Sequence, residues 1–241
     1  MNHHSKTMER NTYSWTLIEK TPEVPGVTSL VLEAQAERPD FIAGQYLTVR
    51  LPHFEPIEGK SYSISSAPYE KYLTLTVKEM GSFSRAILGL DIGTTLTTSA
   101  PYGFFYPDTP LPDHLVFIAG GIGITPCMSI IRNLTHVETP PRITLLYSTR
   151  TRESIIFRDE LALMSEQFPT LTTHHFITRE TIGETEHLHN SRIGADTFST
   201  IPHPHTADFF ICGSTDFTKC MWSLLRAHHI PQTKIYTEGF F

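Results

Sequence analysis

Residues 107–113, Pro-Asp-Thr-Pro-Leu-Pro-Asp, put three prolines into seven positions. Proline cannot donate to a sheet ladder and breaks a helix interior, so this stretch interrupts any continuous layer of structure. The chain on its two sides has different textures. Before it, short runs alternate apolar and polar residues: Leu47, Val49 and Leu51 against Thr48 and Arg50, then Leu73, Leu75 and Val77 against Thr74, Thr76 and Lys78. Turn signals at Thr21-Pro22, Pro25-Gly26, Pro39-Asp40, Ala43-Gly44 and Glu58-Gly59 separate such runs, the rhythm of an antiparallel barrel or sandwich, with one helix expected over 84–90. After it, apolar strands at 115–119, 143–147, 171–177, 208–212 and 234–236 alternate with helices starting at Pro126 and near 154–168 and 215–228. That order predicts a parallel sheet with helices on both faces.

The expected architecture is an antiparallel β-barrel over 12–108 followed by an α/β domain with a parallel sheet over 113–241, and 241 residues suffice for two cores. Two helical stripes support the second half: Phe157, Leu161, Met164 and Phe168, then Phe217, Met221, Leu224 and His228. Residues 180–206, rich in His, Pro and Thr, read as a surface connection with at most a short helix.

Nineteen basic against twenty-five acidic residues, with the deficit spread evenly over both halves, argue against a nucleic-acid ligand. The N-terminal MNHHSKTMER lacks the apolar core of a signal peptide and no stretch is long enough for a membrane span, so a cytoplasmic protein is expected. Cys127, Cys212 and Cys220 cannot all pair, and their spacing suits neither zinc nor an iron–sulfur cluster. The pairs His187-x-His189 and His203-x-His205 lack convergent thiolates or carboxylates and read as solvated loop residues, so no metal site is expected.

The segment VFIAGGIGITPCMSIIRNL, residues 116–134, carries the clearest chemistry of the second half. A buried strand ends at Ala119, Gly120, Gly121 and Gly123 allow a tight turn, Thr125 is placed to cap, and Pro126 fits the first helical position. The free amides of such a helix start suit a pyrophosphate. Pro126 stands where the usual dinucleotide fingerprint has its third glycine, and the turn alone is as consistent with a ligand-free connection.

In KSYSISSAP, residues 60–68, alternation puts Lys60 and Tyr62 on one side and Ser61 and Ser63 on the other. Lys60 could hold a phosphate while Tyr62 stacks on a flat ring; a solvated strand face is the plainer alternative. Gly81-Ser82-Phe83-Ser84 offers a second polar turn at a helix start, again suited to phosphate.

Taken in order, Lys60-Ser-Tyr62-Ser63, Gly81-Ser-Phe-Ser84, Gly120-Gly-Ile-Gly-Ile-Thr125-Pro126, Cys212-Gly213 and the terminal Glu238-Gly-Phe240-Phe241 resemble the ferredoxin–NADP reductase family over nearly the whole chain from residue 12. The resemblance implies an FAD-binding barrel followed by a domain for NADP or NAD. It implies that Tyr62 packs on the isoalloxazine, that Ser63 hydrogen-bonds near its N5, and that Ser82, Ser84 and the amides at Gly81 hold the flavin pyrophosphate. Strict alternation aims Ser63 away from Tyr62, so the strand must twist or become irregular there. Lys60 replaces the usual arginine and offers a point charge in place of a bidentate fork.

By the same likeness Gly120, Gly121, Gly123 and Thr125 line the nicotinamide-nucleotide site and Cys212 lies near the nicotinamide. Glu238 is a carboxylate near the flavin, Phe240 its neighbouring aromatic, and Phe241 either a cover for the flavin or an anchor for the last strand. Ser214 stands where the family has proline, and serine caps helices well, so that turn is expected to survive. Arg150 and Arg152 follow the second strand of the α/β half, with no acidic residue at that strand end; a 2′-phosphate partner, hence NADPH, is favoured over NADH.

The implied function is an oxidoreductase that takes hydride from NAD(P)H onto FAD and passes electrons to a separate protein such as ferredoxin or flavodoxin, since no iron–sulfur ligand run is present. The alternatives are a reductase component of an oxygenase, a free-flavin reductase, or a non-catalytic nucleotide-binding subunit.

Overall fold

The computed structural model describes residues 12–240 apart from 53, 184 and 186. The first half forms β1 (Thr12–Val24), β2 (Val27–Ala34), β3 (Tyr46–Arg50), β4 (Lys60–Ser63), β5 (Leu73–Lys78), α1 (Ser82–Leu88) and β6 (Thr95–Ser99). These six strands make one antiparallel sheet in the order β4-β3-β6-β1-β2-β5. Its two ends meet through a bridge between Ile64 and Leu75, which closes a barrel. The predicted alternation is what fills it: Leu47, Val49, Leu73, Leu75 and Val77 are buried together with Trp15 and Leu17. Each such side chain stabilises the fold by about 1.5–3 kcal/mol. The Trp15 indole donates to Thr98 Oγ1 at 2.8 Å, so its one polar group stays satisfied in the core.

Helix α1 starts two residues before the expected position and plugs one barrel end with Phe83 and Ile87. Lys20 reaches across to the end of α1, donating to the carbonyls of Leu88 (2.6 Å) and Leu90 (3.1 Å).

Beyond the proline-rich stretch come β7 (His114–Gly120), α2 (Ile124–Leu134), β8 (Arg142–Thr149), α3 (Arg158–Gln167), β9 (Leu171–Ile177), β10 (Leu188–His189), α4 (Ala195–Ser199), β11 (Asp208–Ser214), α5 (Thr215–Ala227) and β12 (Ile235–Phe240). The six strands are all parallel, in the order β10-β9-β8-β7-β11-β12. One face carries α2 and α3 over Phe117, Leu145 and Phe210; the other carries α4 and α5 over Ile118, Leu146 and Ile211.

Three expectations change. Thr125 is not the cap of α2: the glycines form a 3-10 turn over 121–123 that runs straight into the helix, which therefore begins earlier, at Ile124. Thr125 falls inside the first turn and its hydroxyl donates to the Ile122 carbonyl (3.0 Å), with Pro126 third in the helix, where its missing N–H costs nothing. Helix α3 starts at Arg158, because Ile155 is extended after the 3-10 turn over 152–154 and Phe157, in a left-handed conformation (φ 58°), is the residue from which the helix begins. Residues 180–206 are more than a surface connection: they add β10 to the sheet edge and bury Ile193, Phe198 and Ile201.

The two sheets share packing. Val27, Ala43 and Phe105 from the first half join the core beneath α2. Ser129 Oγ donates to the Ser66 carbonyl (2.6 Å), and Arg132 donates to the Ser65 carbonyl (2.6 Å) while holding Glu160 through a two-bond fork at 2.7 Å each. Tyr69 stacks on His136 at 3.7 Å between ring centres.

Candidate active site

In an open parallel sheet, ligands bind beyond the carboxyl ends of the strands where the strand order reverses. Here that point lies between β7 and β11, whose ends are Gly120 and Cys212-Gly213-Ser214. A cleft of about 330 Å3 opens there, lined by Gly120, Gly121 and Ile122, by Ser148, Thr149 and Arg150 past β8, by Thr178 past β9, and by Ser214 and Phe217. Its opposite wall comes from the barrel: Val24, Pro25, Val27, Lys78 and Met80.

The glycines of the turn have separate duties. Gly121 takes φ +54° with open space where a side chain would project, leaving bare backbone toward the cleft, and its carbonyl accepts from Tyr147 Oη at 3.0 Å. Gly123 lets α2 begin directly against β11: a Cβ there would stand 2.2 Å from the Cys212 carbonyl oxygen. Ser214 caps α5 by accepting from the Phe217 amide (3.4 Å), so the turn with serine in place of proline does form. Cys212 is fully buried and burial pushes its thiol well above its usual range, as it does for Cys127, so both stay protonated.

A second cluster forms where the barrel meets β12. In the β3–β4 ladder Ser63 stands opposite Tyr46, and Tyr62 opposite Leu47. Opposed residues share a face, so Tyr62 leans on the barrel core while Ser63 points the other way with Tyr46. The ladder stays regular through Tyr62 and Ser63; beyond it the Ile64 amide still donates to the Gln45 carbonyl (3.0 Å) while Ile64 also bridges to Leu75 of β5. Ser63 is buried, and its hydroxyl has no partner among the described residues, an unmet cost of about 1–3 kcal/mol. Burial pushes the Tyr62 phenol up to about 12.

Glu238 sits opposite Cys212 in the β11–β12 ladder, and burial pushes its carboxyl up to about 7. Tyr46, the ladder partner of Ser63, is held above its usual range by burial and by the neighbouring Tyr102 and Glu238. The Tyr46 and Tyr102 rings meet at a tilt of 55° with centres 4.2 Å apart.

The remaining expected residues are more spread. Lys60 is exposed at the start of β4. Ser82 is exposed on the first turn of α1, whereas Ser84 is buried and its hydroxyl is used locally, accepting from the Met80 and Gly81 amides (2.8 and 3.0 Å) and donating to the Gly81 carbonyl (3.0 Å). Arg150 lines the cleft; Arg152 stands further along, exposed. The expectation of no acidic residue there is corrected: Glu180, beyond β9, accepts from the Arg152 amide at 2.7 Å. Phe240 pairs its backbone with Ser214, and Phe241 lies outside the described residues.

Tyr46, Lys78 and Thr178 were not singled out in the sequence. Lys78 offered one signal, as the charged end of an otherwise apolar alternation; Tyr46 and Thr178 gain their positions only from pairing between distant strands.

The family model for an oxidoreductase NAD-binding domain matches residues 117–222. The chain is 29% identical over 235 residues to the flavohemoprotein of Bacillus subtilis (strain 168), covering 94% of this chain and 58% of that protein. It is 27% identical over 231 residues to the ferredoxin reductase component of the 3-ketosteroid-9-alpha-monooxygenase of Rhodococcus rhodochrous, covering 93% and 63%. The chain thus spans about three fifths of the length of these curated relatives. Among solved structures, a ferredoxin NADP+ reductase from Neisseria gonorrhoeae with bound FAD and NADP shares the fold, with a TM-score of 0.80 at 23% identity, covering 97% of this chain and all of the other.

Proposed function

We propose, on the premise that the chain belongs to the ferredoxin–NADP reductase-like family, that it is an NAD(P)H-dependent flavoprotein reductase. Residues 12–108 are its FAD-binding barrel and 113–241 its nicotinamide-nucleotide domain. The observation that carries this reading is the buried Ser63 hydroxyl, without a partner among the described residues, opposite Tyr46, which also feels the half-buried Glu238 carboxyl at the end of the strand beside β11. A ligand that hydrogen-bonds to the Ser63 hydroxyl would supply the partner it lacks among the described residues.

The residues fit the two cofactors. Ser63 and Tyr62 would meet the flavin ring, Ser82 and Lys60 its phosphates, and Gly120, Gly121, Gly123, Arg150 and Thr178 the nicotinamide nucleotide. When bound, the flavin supplies the conversion of a two-electron hydride donor into single-electron transfers. The chain's own work is positional: the bare backbone at Gly121 admits the nucleotide, the neutral Cys212 thiol keeps its surroundings apolar, and Glu238 can hold or release a proton near neutral pH. Ser84, occupied by its own turn, supports the shape of the phosphate site rather than the phosphate itself.

For the electron acceptor we favour an oxygenase component, on the similarity to a monooxygenase reductase component, with a ferredoxin or a flavodoxin as alternatives. The test is the visible spectrum of the purified protein, followed by anaerobic titration with NADPH and then NADH and by turnover with ferricyanide. A yellow protein bleached by either nucleotide is expected. A colourless protein that neither binds added FAD nor oxidises either nucleotide would overturn the reading in favour of a non-catalytic nucleotide-binding subunit.

A further inference from the structure

Three histidines outside the cleft share one face of the outer sheet edge. Strand β10 runs parallel to β9 with Leu188 opposite His175 and His189 opposite Phe176, and the His175 amide donates to the His187 carbonyl at 2.8 Å. Alternation then puts His187 and His189 on the same face as His174 and Phe176.

The side chains meet accordingly. His174 Nδ1 and His189 Nε2 are 3.4 Å apart, with their rings stacked at 5.6 Å. The His187 ring stands 5.1 Å from that of His174, edge on. His189 is held in place by stacking on the buried Phe176 at 4.7 Å.

Two imidazole nitrogens, each about 2.05 Å from a tetrahedral zinc ion, lie about 3.3 Å apart. His174 and His189 already have that spacing. Among the described residues no three His, Cys, Asp or Glu side chains converge on a common point as they stand; His187, exposed on the same face, needs a side-chain rotation to become the third ligand. An N–H···N bond between His174 and His189 is the competing explanation, and 3.4 Å is beyond the usual range for one.

We propose that His174, His187 and His189 form a binding site for a divalent transition-metal ion of the zinc class, to which neutral imidazole is well matched. The ion would fasten β10, which pairs with β9 through two residues, to the body of the sheet.

The test is equilibrium dialysis of the full chain against Zn2+, together with thermal melting. One Zn2+ per chain is expected, with a rise in Tm of a few degrees. Binding should be lost in the His174→Ala, His189→Ala double variant, and weakened on the order of tenfold by His187→Ala, whose exposed position keeps folding out of question. It should persist in His203→Ala with His205→Ala, in His3→Ala with His4→Ala, in His136→Ala with His229→Ala, and in Cys220→Ser, which remove other imidazole and thiol donors of the chain. Unchanged stoichiometry in the double and His187 variants, loss in one of the controls instead, or no binding by the wild type would each overturn the site and leave a hydrogen-bonded imidazole pair only.

Discussion

Gly123 lies so close to Cys212 that a Cβ at position 123 would stand 2.2 Å from the Cys212 carbonyl oxygen. The start of α2 and the end of β11 thus pack backbone to backbone across the point where the strand order reverses. Gly123→Ala should cost about 1–3 kcal/mol in urea unfolding, because backbone must move to relieve the overlap. Turnover of NAD(P)H with ferricyanide should fall more steeply than stability, since the turn is the cleft floor.

Ser63→Ala separates function from folding. Its hydroxyl is buried without a partner among the described residues, so its removal should leave stability unchanged or raise it by up to about 1 kcal/mol. Hydride transfer from NADPH, followed by stopped-flow absorbance, should slow about tenfold to a hundredfold, the worth of one or two hydrogen bonds. Wild-type rates would remove Ser63 from the site.

Glu238 makes stability depend on pH with a definite sign. Burial holds its carboxyl at about 7, against 4.5 for an unburied glutamate, so the folded chain keeps the proton more tightly than the unfolded one. Stability from this group is full below 4.5, declines as pH rises, and levels off above about 7. Glu238→Gln cannot ionise. Without flavin it should match the wild type in melting at pH 4 and be more stable at pH 8.

Arg150 lines the cleft while the Arg152 amide is taken by Glu180. Arg150→Ala should raise KM for NADPH about tenfold relative to NADH, the loss of one charged hydrogen bond to a 2′-phosphate. Equal changes for both nucleotides would assign Arg150 to the shared part of the ligand.

Arg132 is the strut between the halves, with its side chain 15% exposed, gripping Glu160 and the Ser65 carbonyl and lying 4.9 Å over the Phe157 ring. Arg132→Ala should cost about 2–3 kcal/mol. Arg132→Lys should recover only part of it in chemical denaturation, because an ammonium cannot form the fork.

Much of the architecture was legible in the sequence because it rests on local rules. Alternation at 47–49 and 73–77 and the stripe through Leu161 and Met164 reported the buried faces, and the glycines before Pro126 reported a turn into a helix. Boundaries went wrong where backbone conformation was decided by neighbours: Phe157 is turned left-handed under the Arg132 guanidinium, and the 3-10 turn at 121–123 feeds α2 early, moving Thr125 off the cap. Sequence distance also hid Glu180, which meets Arg152 across two strand ends.

The sequence by itself determined the order of strands and helices, the two textures on either side of the proline-rich stretch, and the motifs resembling a flavin- and nucleotide-dependent family, because side-chain period and turn chemistry act within a few residues. Only the tertiary structure decided that the first sheet closes through Ile64 and Leu75, that Ser63, opposite Tyr46, has no partner among the described residues, and that His174 meets His189. Those relations depend on register between distant strands and on which polar groups burial leaves unpaired, and no local pattern encodes either.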